Sequence, residues 1–245
     1  MKKRLDVLVV ERGLADTRQK AQALIMAGRI IVGDQPAAKA GANVSDTADV
    51  RLKDSGTIYV SRGGLKIEGA AKEFGLEIEG KVCIDLGCST GGFTHYLLIH
   101  GATRVYGVDV DVSQLDWRLQ NDPRVIRVER NARLLVPEDI GELADLVTID
   151  ASFISLTLLL PRVPAVLKNG GLCLALVKPQ FEVGREKVGK GGIVRNADDQ
   201  RDAVQRIVET GESLGFECAG TCESPITGRE GNREFFILFR KSSES

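Results

Sequence analysis

Apolar and polar positions follow two different rhythms along this 245-residue chain. Near the start the apolar positions are few and helically spaced. "RLDVLVVERG" puts Leu5, Leu8 and Val9 on one helical face and ends at Gly13. "ADTRQKAQALIMAG" predicts a second helix, with Asp16 as N-cap, Gln19 three residues on, Ala21, Leu24 and Ile25 on one face, and Gly28 as the stop. Ile30 and Val32 then alternate into the Gly33-Asp34 turn, and a return arm towards Val44 predicts a small hairpin. These elements make a head over residues 1–55, and the polar, glycine-containing residues 56–64 read as a linker. From residue 65 the rhythm changes. "LKIEGAAKEFG" is amphipathic through Ile67, Ala70, Ala71 and Phe74. Strand-like runs follow at Val82–Leu86, Val105–Val110, Val125–Val128, Leu146–Asp150, Leu172–Val177 and Phe235–Phe239. Helical stretches lie between most of them, the clearest placing Val204, Ile207, Val208 and Leu214 on one side. Unbroken apolar strands alternating with helices predict an α/β body with a mostly parallel sheet covered on both faces.

Composition adds a core and a charge asymmetry. The chain is 43% hydrophobic, enough for a buried interior. Residues 1–60 carry ten Lys/Arg against seven Asp/Glu, while the remainder carries 23 against 27. A basic head on an acidic body points to an anionic partner for the head. Arg4, Arg18, Lys20, Arg29 and Lys39 decorate it. Arg18 and Lys20 open the second helix, where positive charge opposes the dipole, so an uncompensated cost there suggests phosphate binding. Cys83 and Cys173 lie in apolar runs and read as core, and no cysteine or histidine spacing predicts a structural metal. Five cysteines and no secretory signal fit the cytoplasm. "LCLALV" and "ISLTLLL", the longest apolar runs, fall far short of the ~20 residues that span a bilayer.

The chemistry concentrates around "VCIDLGCSTGGFTHYLL". It reads as strand, glycine turn and helix, with Gly87 turning the chain and Gly91 and Gly92 letting it approach a ligand. Ser89 and Thr90 lie within the turn. The next strand ends in Asp109, where a carboxylate can bind both hydroxyls of a ribose. The dinucleotide pattern is G-x-G-x-x-G; here Gly87 to Gly91 reads G-x-x-x-G. That spacing favours S-adenosylmethionine over NAD, with Asp85 facing the ammonium of its amino-acid end.

Four polar residues sit where a core does not want them. Lys66 lies beside the apolar face of its helix, Asp150 ends the strand "LVTID", Lys178 follows "LCLALV", and Glu234 opens "EFFILF". A lysine directly after such a strand is half-buried and needs a partner. The set suits methylation of a ribose 2′-hydroxyl, which requires alignment and removal of one proton. A free lysine is neutral in only about one molecule in 10³ near pH 7, so the base needs burial and a second cation beside it. On this reading Lys178 is the general base, Lys66 the neighbouring cation, and Asp150 and Glu234 orient the two.

Two resemblances complete the picture. The head, "RLDVLVVERGLADTRQKAQALIMAGRIIVGDQPAAK", resembles the alpha-L, S-four-like RNA-binding motif. "VSRGGLK", "DLGCSTGGFT", "VDV", "QLDWRL", "IDASFISL", "LVKPQF", "GKGGIV" and "SPITGREGN" together resemble the TlyA family, which joins that motif to an FtsJ-like methyltransferase domain. The resemblance implies a Rossmann-like class I methyltransferase sheet over residues 65–245, preceded by a small α+β RNA-binding domain. It implies S-adenosylmethionine as cofactor and a cytidine ribose 2′-hydroxyl of ribosomal RNA as target. It places Lys66, Asp150, Lys178 and Glu234 at the family's catalytic positions and Asn131 at an adenine contact. The brief ends resemble the family's short form, linked to the large subunit, and a monomer is expected. Arg4, Arg18, Lys20 and Lys39 are the expected RNA contacts. Cys88 and His95 depart from the family pattern, which has alanine and an acid there, and His95 reads as a partly exposed helix residue. Two other functions compete: an inactive ribosome-binding module, and the membrane-active toxin that the family's haemolysin name suggests.

Overall fold

A computed structural model describes residues 2–33, 35–37, 39–52, 58–228 and 230–243. The chain forms two units, Met1–Ile58 and Tyr59–Ser245.

In the first unit, β1 (Lys2–Arg4) leads into α1 (Leu5–Glu11), followed by α2 (Arg18–Met26), β2 (Ile30–Val32), β3 (Gln35–Pro36), β4 (Asn43–Ser45) and β5 (Val50–Leu52). Leu5, Leu8 and Val9 of α1 pack on Ala21 and Ile25 of α2 and on Ile30 and Val50, giving this unit its own core. Helix α2 starts one residue later than its sequence suggests. Thr17 is the N-cap, its hydroxyl accepting from Lys20 N at 3.2 Å, while Asp16 pairs with Lys20 Nζ at 2.8 Å. Arg18 is also paired. Its Nε donates at 3.0 Å to Asp6, a wholly buried carboxylate that also receives Arg4 and, at 2.8 Å, Gln22. The Arg4 hydrogen bond outweighs burial and, with Gln22 and Arg18, holds the Asp6 carboxyl well below the ordinary carboxylate range. The cost at the start of α2 is therefore met within the head, and the argument from uncompensated charge does not stand. The arm through Val44 pairs with β1 rather than β2, whose neighbours are β3 and β5. Asp34 of the expected turn lies outside the described residues.

In the second unit the order is α3 (Gly63–Phe74), β6 (Val82–Leu86), α4 (Gly92–Ile99), β7 (Arg104–Asp109), α5 (Trp117–Gln120), β8 (Val125–Glu129), α6 (Pro137–Ile140), β9 (Ala144–Ile149), α7 (Val163–Val166), β10 (Leu167–Val177), α8 (Pro179–Glu182), α9 (Ala197–Ser213), β11 (Phe216–Glu223) and β12 (Phe235–Lys241). The seven-stranded sheet runs β11-β12-β10-β9-β6-β7-β8. Five strands are parallel, and β12 runs antiparallel between β10 and β11. Alternate residues face two cores: Ile84 and Leu86 meet Val163 and Ile207 on one side, while Cys83 meets Ile67 and Leu97 on the other. Burial on both faces explains why these strands read as unbroken apolar runs. Strand β11 escapes that reading because it is an edge strand with alternate residues exposed.

Of the linker read at 56–64, residues 56 and 57 lie outside the described residues. Residues 59–64 belong to the second unit: Tyr59 is buried, and Gly63 begins α3. Among the described residues no helix is long and apolar enough to cross a membrane.

Candidate active site

Strand order reverses between β6 and β9, and ligands of such sheets sit outside the carboxyl ends of the strands at that reversal. The glycine turn lies there. Gly87 has φ +83°, and a Cβ on it would stand 2.7 Å from the Asp150 carbonyl oxygen, so the turn rests against the end of β9. Ser89 is also left-handed, at φ 47°, and its N–H donates to Asp109 Oδ2 at 3.0 Å. Thr90 is exposed beside it. Turn and ribose-type carboxylate are thus one structure. Asn131, two residues past β8, caps a short turn by accepting from Arg133 N at 3.0 Å. It lines an open cavity of about 480 Å³ with Arg133, Leu134, Thr157, Leu158, Pro161 and Arg162.

Three expected ligand contacts have other duties. Asp85 is wholly buried. Its Oδ2 accepts from Thr94 N at 2.9 Å and Thr94 Oγ1 at 2.7 Å, and its Oδ1 from Thr148 Oγ1 at 3.0 Å, so it braces α4 and β9 against β6. Gly91 has a left-handed backbone, at φ +91°, and both Gly91 and Gly92 are crowded by neighbouring residues. A Cβ on Gly91 would stand 2.2 Å from Leu119, and one on Gly92 would stand 2.3 Å from Ser61 Oγ and 2.9 Å from Gly64 N.

Burial pushes the Asp85 carboxyl from 3.8 up to about 6, against the pull of its threonine hydrogen bonds and with a smaller push from Asp150. The folded protein then keeps this proton at pH values where the unfolded chain has lost it. Its contribution to stability therefore falls as pH rises from 3.8 to about 6. The full effect above that range is about 3 kcal/mol. Denaturant titrations of wild type and Asp85→Asn across this range check it: the wild type is expected to lose stability relative to the variant as pH rises.

The four polar residues singled out from the sequence form one row. In the β10–β12 ladder Val177 stands opposite Phe235, which sets Lys178 and Glu234 at the next positions along the two strands. In the β9–β10 ladder Ile149 stands beside Ala175, which brings Asp150 next to the end of β10. Lys178 Nζ lies 2.5 Å from Asp150 Oδ1, and Lys66 Nζ reaches from α3 to within 2.7 Å of Glu234 Oε2. Lys178 and Glu234 are buried, and Lys66 is 12% exposed. Among the described residues, the buried side-chain oxygens lacking a well-aligned hydrogen bond are Asp150 Oδ1, Glu234 Oε2 and Gln180 Oε1. The first two face only a lysine ammonium. Both are closed off from solvent and are held by charge pairing with the two ammonium groups.

A model of the FtsJ-like methyltransferase family matches residues 59–241, and one of the S4 domain matches residues 3–50. The "16S/23S rRNA (cytidine-2'-O)-methyltransferase TlyA" of Mycobacterium tuberculosis is 43% identical over 98% of this chain and 91% of its own length. The chain belongs to the TlyA family of FtsJ-like methyltransferases. The "23S rRNA (cytidine-2'-O)-methyltransferase TlyA" of Campylobacter jejuni is 36% identical over 80% of this chain and 76% of its own. A solved structure from Streptococcus thermophilus, titled as a hemolysin, is 41% identical, covers 99% of this chain and 90% of its own, and superposes with a TM-score of 0.77.

Several residues of this TlyA-family chain gain roles that the sequence did not signal. Ser152 Oγ accepts from Lys178 Nζ at 2.9 Å. Phe153 is 91% exposed at φ 64°, its ring 5.3 Å from that of Phe181. Asn232, buried two residues before Glu234, accepts from Val194 N and donates to Gly192 O, which makes "GKGGIV" and "SPITGREGN" one unit. His95 Nδ1 accepts from Val60 N at 3.1 Å, a bond that needs that nitrogen unprotonated, and burial lowers the pKa of the ring. As for a small ligand, the turn and Asp109 offer hydroxyls, a carboxylate and no basic side chain. That donor set fits a nucleoside without phosphate better than a pyrophosphate.

Proposed function

We propose that this chain methylates the ribose 2′-hydroxyl of a cytidine in ribosomal RNA of the large subunit, using S-adenosylmethionine. The observation that carries this reading is the row Asp150–Lys178–Glu234–Lys66 set against the glycine turn at the reversal of strand order. Ser89, Thr90 and Asp109 would hold the cofactor, Asp109 through the ribose hydroxyls, with Asn131 towards the adenine. When bound, S-adenosylmethionine supplies an electrophilic methyl group.

Lys178 Nζ takes the proton of the 2′-hydroxyl. Asp150 and Ser152 fix its position, each within 3 Å. Lys66, held by Glu234, brings a second positive charge to the row, which attracts the developing alkoxide. Phe153 offers an exposed ring on which a base can stack. Incubation with isotope-labelled S-adenosylmethionine and isolated ribosomal subunits tests the reading. Label at a cytidine ribose of large-subunit RNA is the expected result, and RNA that stays unlabelled in both subunits defeats it.

Arg4, Arg18, Lys20 and Lys39 of the head bind RNA phosphates on this reading. Arg18→Ala also removes a partner of buried Asp6, so Lys20→Ala and Lys39→Ala are the cleaner probes. Each is expected to weaken RNA binding and to reduce the slope of log K against log salt by about 1. Filter binding at several salt concentrations measures it, and an unchanged slope moves the contact elsewhere.

A further inference from the structure

We infer that Glu182 is a positioning residue for the methyl transfer proposed above, an inference that rests on that reading. Helix α8 starts immediately after Lys178, and Glu182 is its last residue. The Glu182 side chain is buried, away from solvent, yet it is a carboxylate. Its Oε2 accepts from Ser155 Oγ at 2.5 Å and its Oε1 from Leu156 N at 2.9 Å. Ser155 and Leu156 stand just beyond the loop that leaves Asp150. Two short segments, 150–156 and 178–182, are therefore joined at both ends. Lys178 holds Asp150 and Ser152 at one end, and Glu182 holds Ser155 and Leu156 at the other.

Between the two joints lies Phe153, at φ 64°. A phenylalanine rarely adopts that conformation, and it persists only where the surroundings fix it. The inner joint alone leaves the far side of that residue free to relax. Glu182 supplies the outer joint, and Arg206 of α9 braces it by donating to the Glu182 carbonyl at 2.7 Å. A loop relaxed at Phe153 carries Ser152 off the Lys178 ammonium and loosens the Asp150 side chain, so the base loses its orientation, while the Asp150 backbone, held by its N–H to Leu86 O at 3.0 Å, keeps its place against the cofactor turn.

The test uses the full chain, with kcat and RNA KM for methylation of ribosomal RNA and S-adenosylmethionine affinity by calorimetry. Glu182→Ala is expected to lower kcat by about 10- to 100-fold, with both RNA KM and cofactor affinity within about threefold of wild type. Glu182→Gln keeps an acceptor for Leu156 N and a partner for Ser155, and is expected to restore kcat to within about fivefold of wild type. Ser155→Ala is expected to give part of the Glu182→Ala loss, and the double variant to be no slower than Glu182→Ala. A Glu182→Ala kcat within about twofold of an active wild type overturns the inference. So does a Glu182→Gln variant as slow as alanine that also loses cofactor affinity, because the role is then structural. If Glu182→Ala fails to fold, Ser155→Ala decides, and an unchanged kcat overturns the inference. A wild type that methylates nothing defeats the functional reading; an active wild type indifferent to Glu182 defeats this inference alone.

Discussion

Lys178→Arg is expected to bind S-adenosylmethionine and RNA within a few-fold of wild type and to methylate about 10²- to 10⁴-fold more slowly. The arginine keeps a positive charge at the carboxyl end of β10 and can pair with Asp150 bidentately. It cannot give up its proton, so it cannot accept the one on the 2′-hydroxyl. The substitution therefore separates a base from a fixed cation, which alanine does not. Lys178→Met is the companion: it keeps length and burial and removes the charge. Both are expected to be slow if Lys178 carries the proton. A fast arginine variant beside a slow methionine one would show that the position only needs charge, and the base would have to be sought elsewhere. Single-turnover assays at saturating RNA are the right measurement, because they isolate the chemical step from binding and product release.

That row was legible in the sequence for a definite reason. A lysine placed directly after "LCLALV" ends up at the edge of a covered sheet, where an unpaired ammonium is expensive, so its position announces a partner. The strands were legible because burial on both faces leaves no polar alternation to blur them. Other features depend on partners distant in sequence. Asp85, two residues before Gly87, reads as a ligand contact until Thr148, 63 residues on, takes one of its oxygens. Arg18 looked uncompensated because Asp6, its partner, lies 12 residues back on another helix. Asp16 and Thr17 are both good caps, and the capture of Asp16 by the Lys20 ammonium leaves the cap to Thr17. Glycine is ambiguous in the same way: its missing side chain makes room, and the sequence does not say for what.

Gly92 makes that last point testable, and its effect reaches the active site. A Cβ there would stand 2.3 Å from Ser61 Oγ, 2.9 Å from Gly64 N and 3.0 Å from Gly63 Cα. The serine hydroxyl can rotate away. The backbone of Gly63 and Gly64 can move only if the start of α3 moves. Gly64 has no slack on its other side, since a Cβ on it would meet the Tyr59 ring at 2.1 Å. Lys66 stands two residues further along α3 and shifts with it, away from Glu234. Overpacking of this kind costs about 1–3 kcal/mol, and a displacement near 1 Å in a catalytic group costs about 10²-fold in rate. Gly92→Ala is accordingly expected to melt earlier than wild type with no ligand present and to methylate about 10²-fold more slowly. Gly75→Ala is the control. Its backbone is left-handed, at φ +61°, which that of Gly92 is not, and nothing lies within 4 Å of its would-be Cβ. It should lose about 1 kcal/mol of stability and leave turnover alone. If Gly92→Ala instead melts like wild type and loses only affinity for S-adenosylmethionine, the glycine serves the ligand and not the contact between α3 and α4.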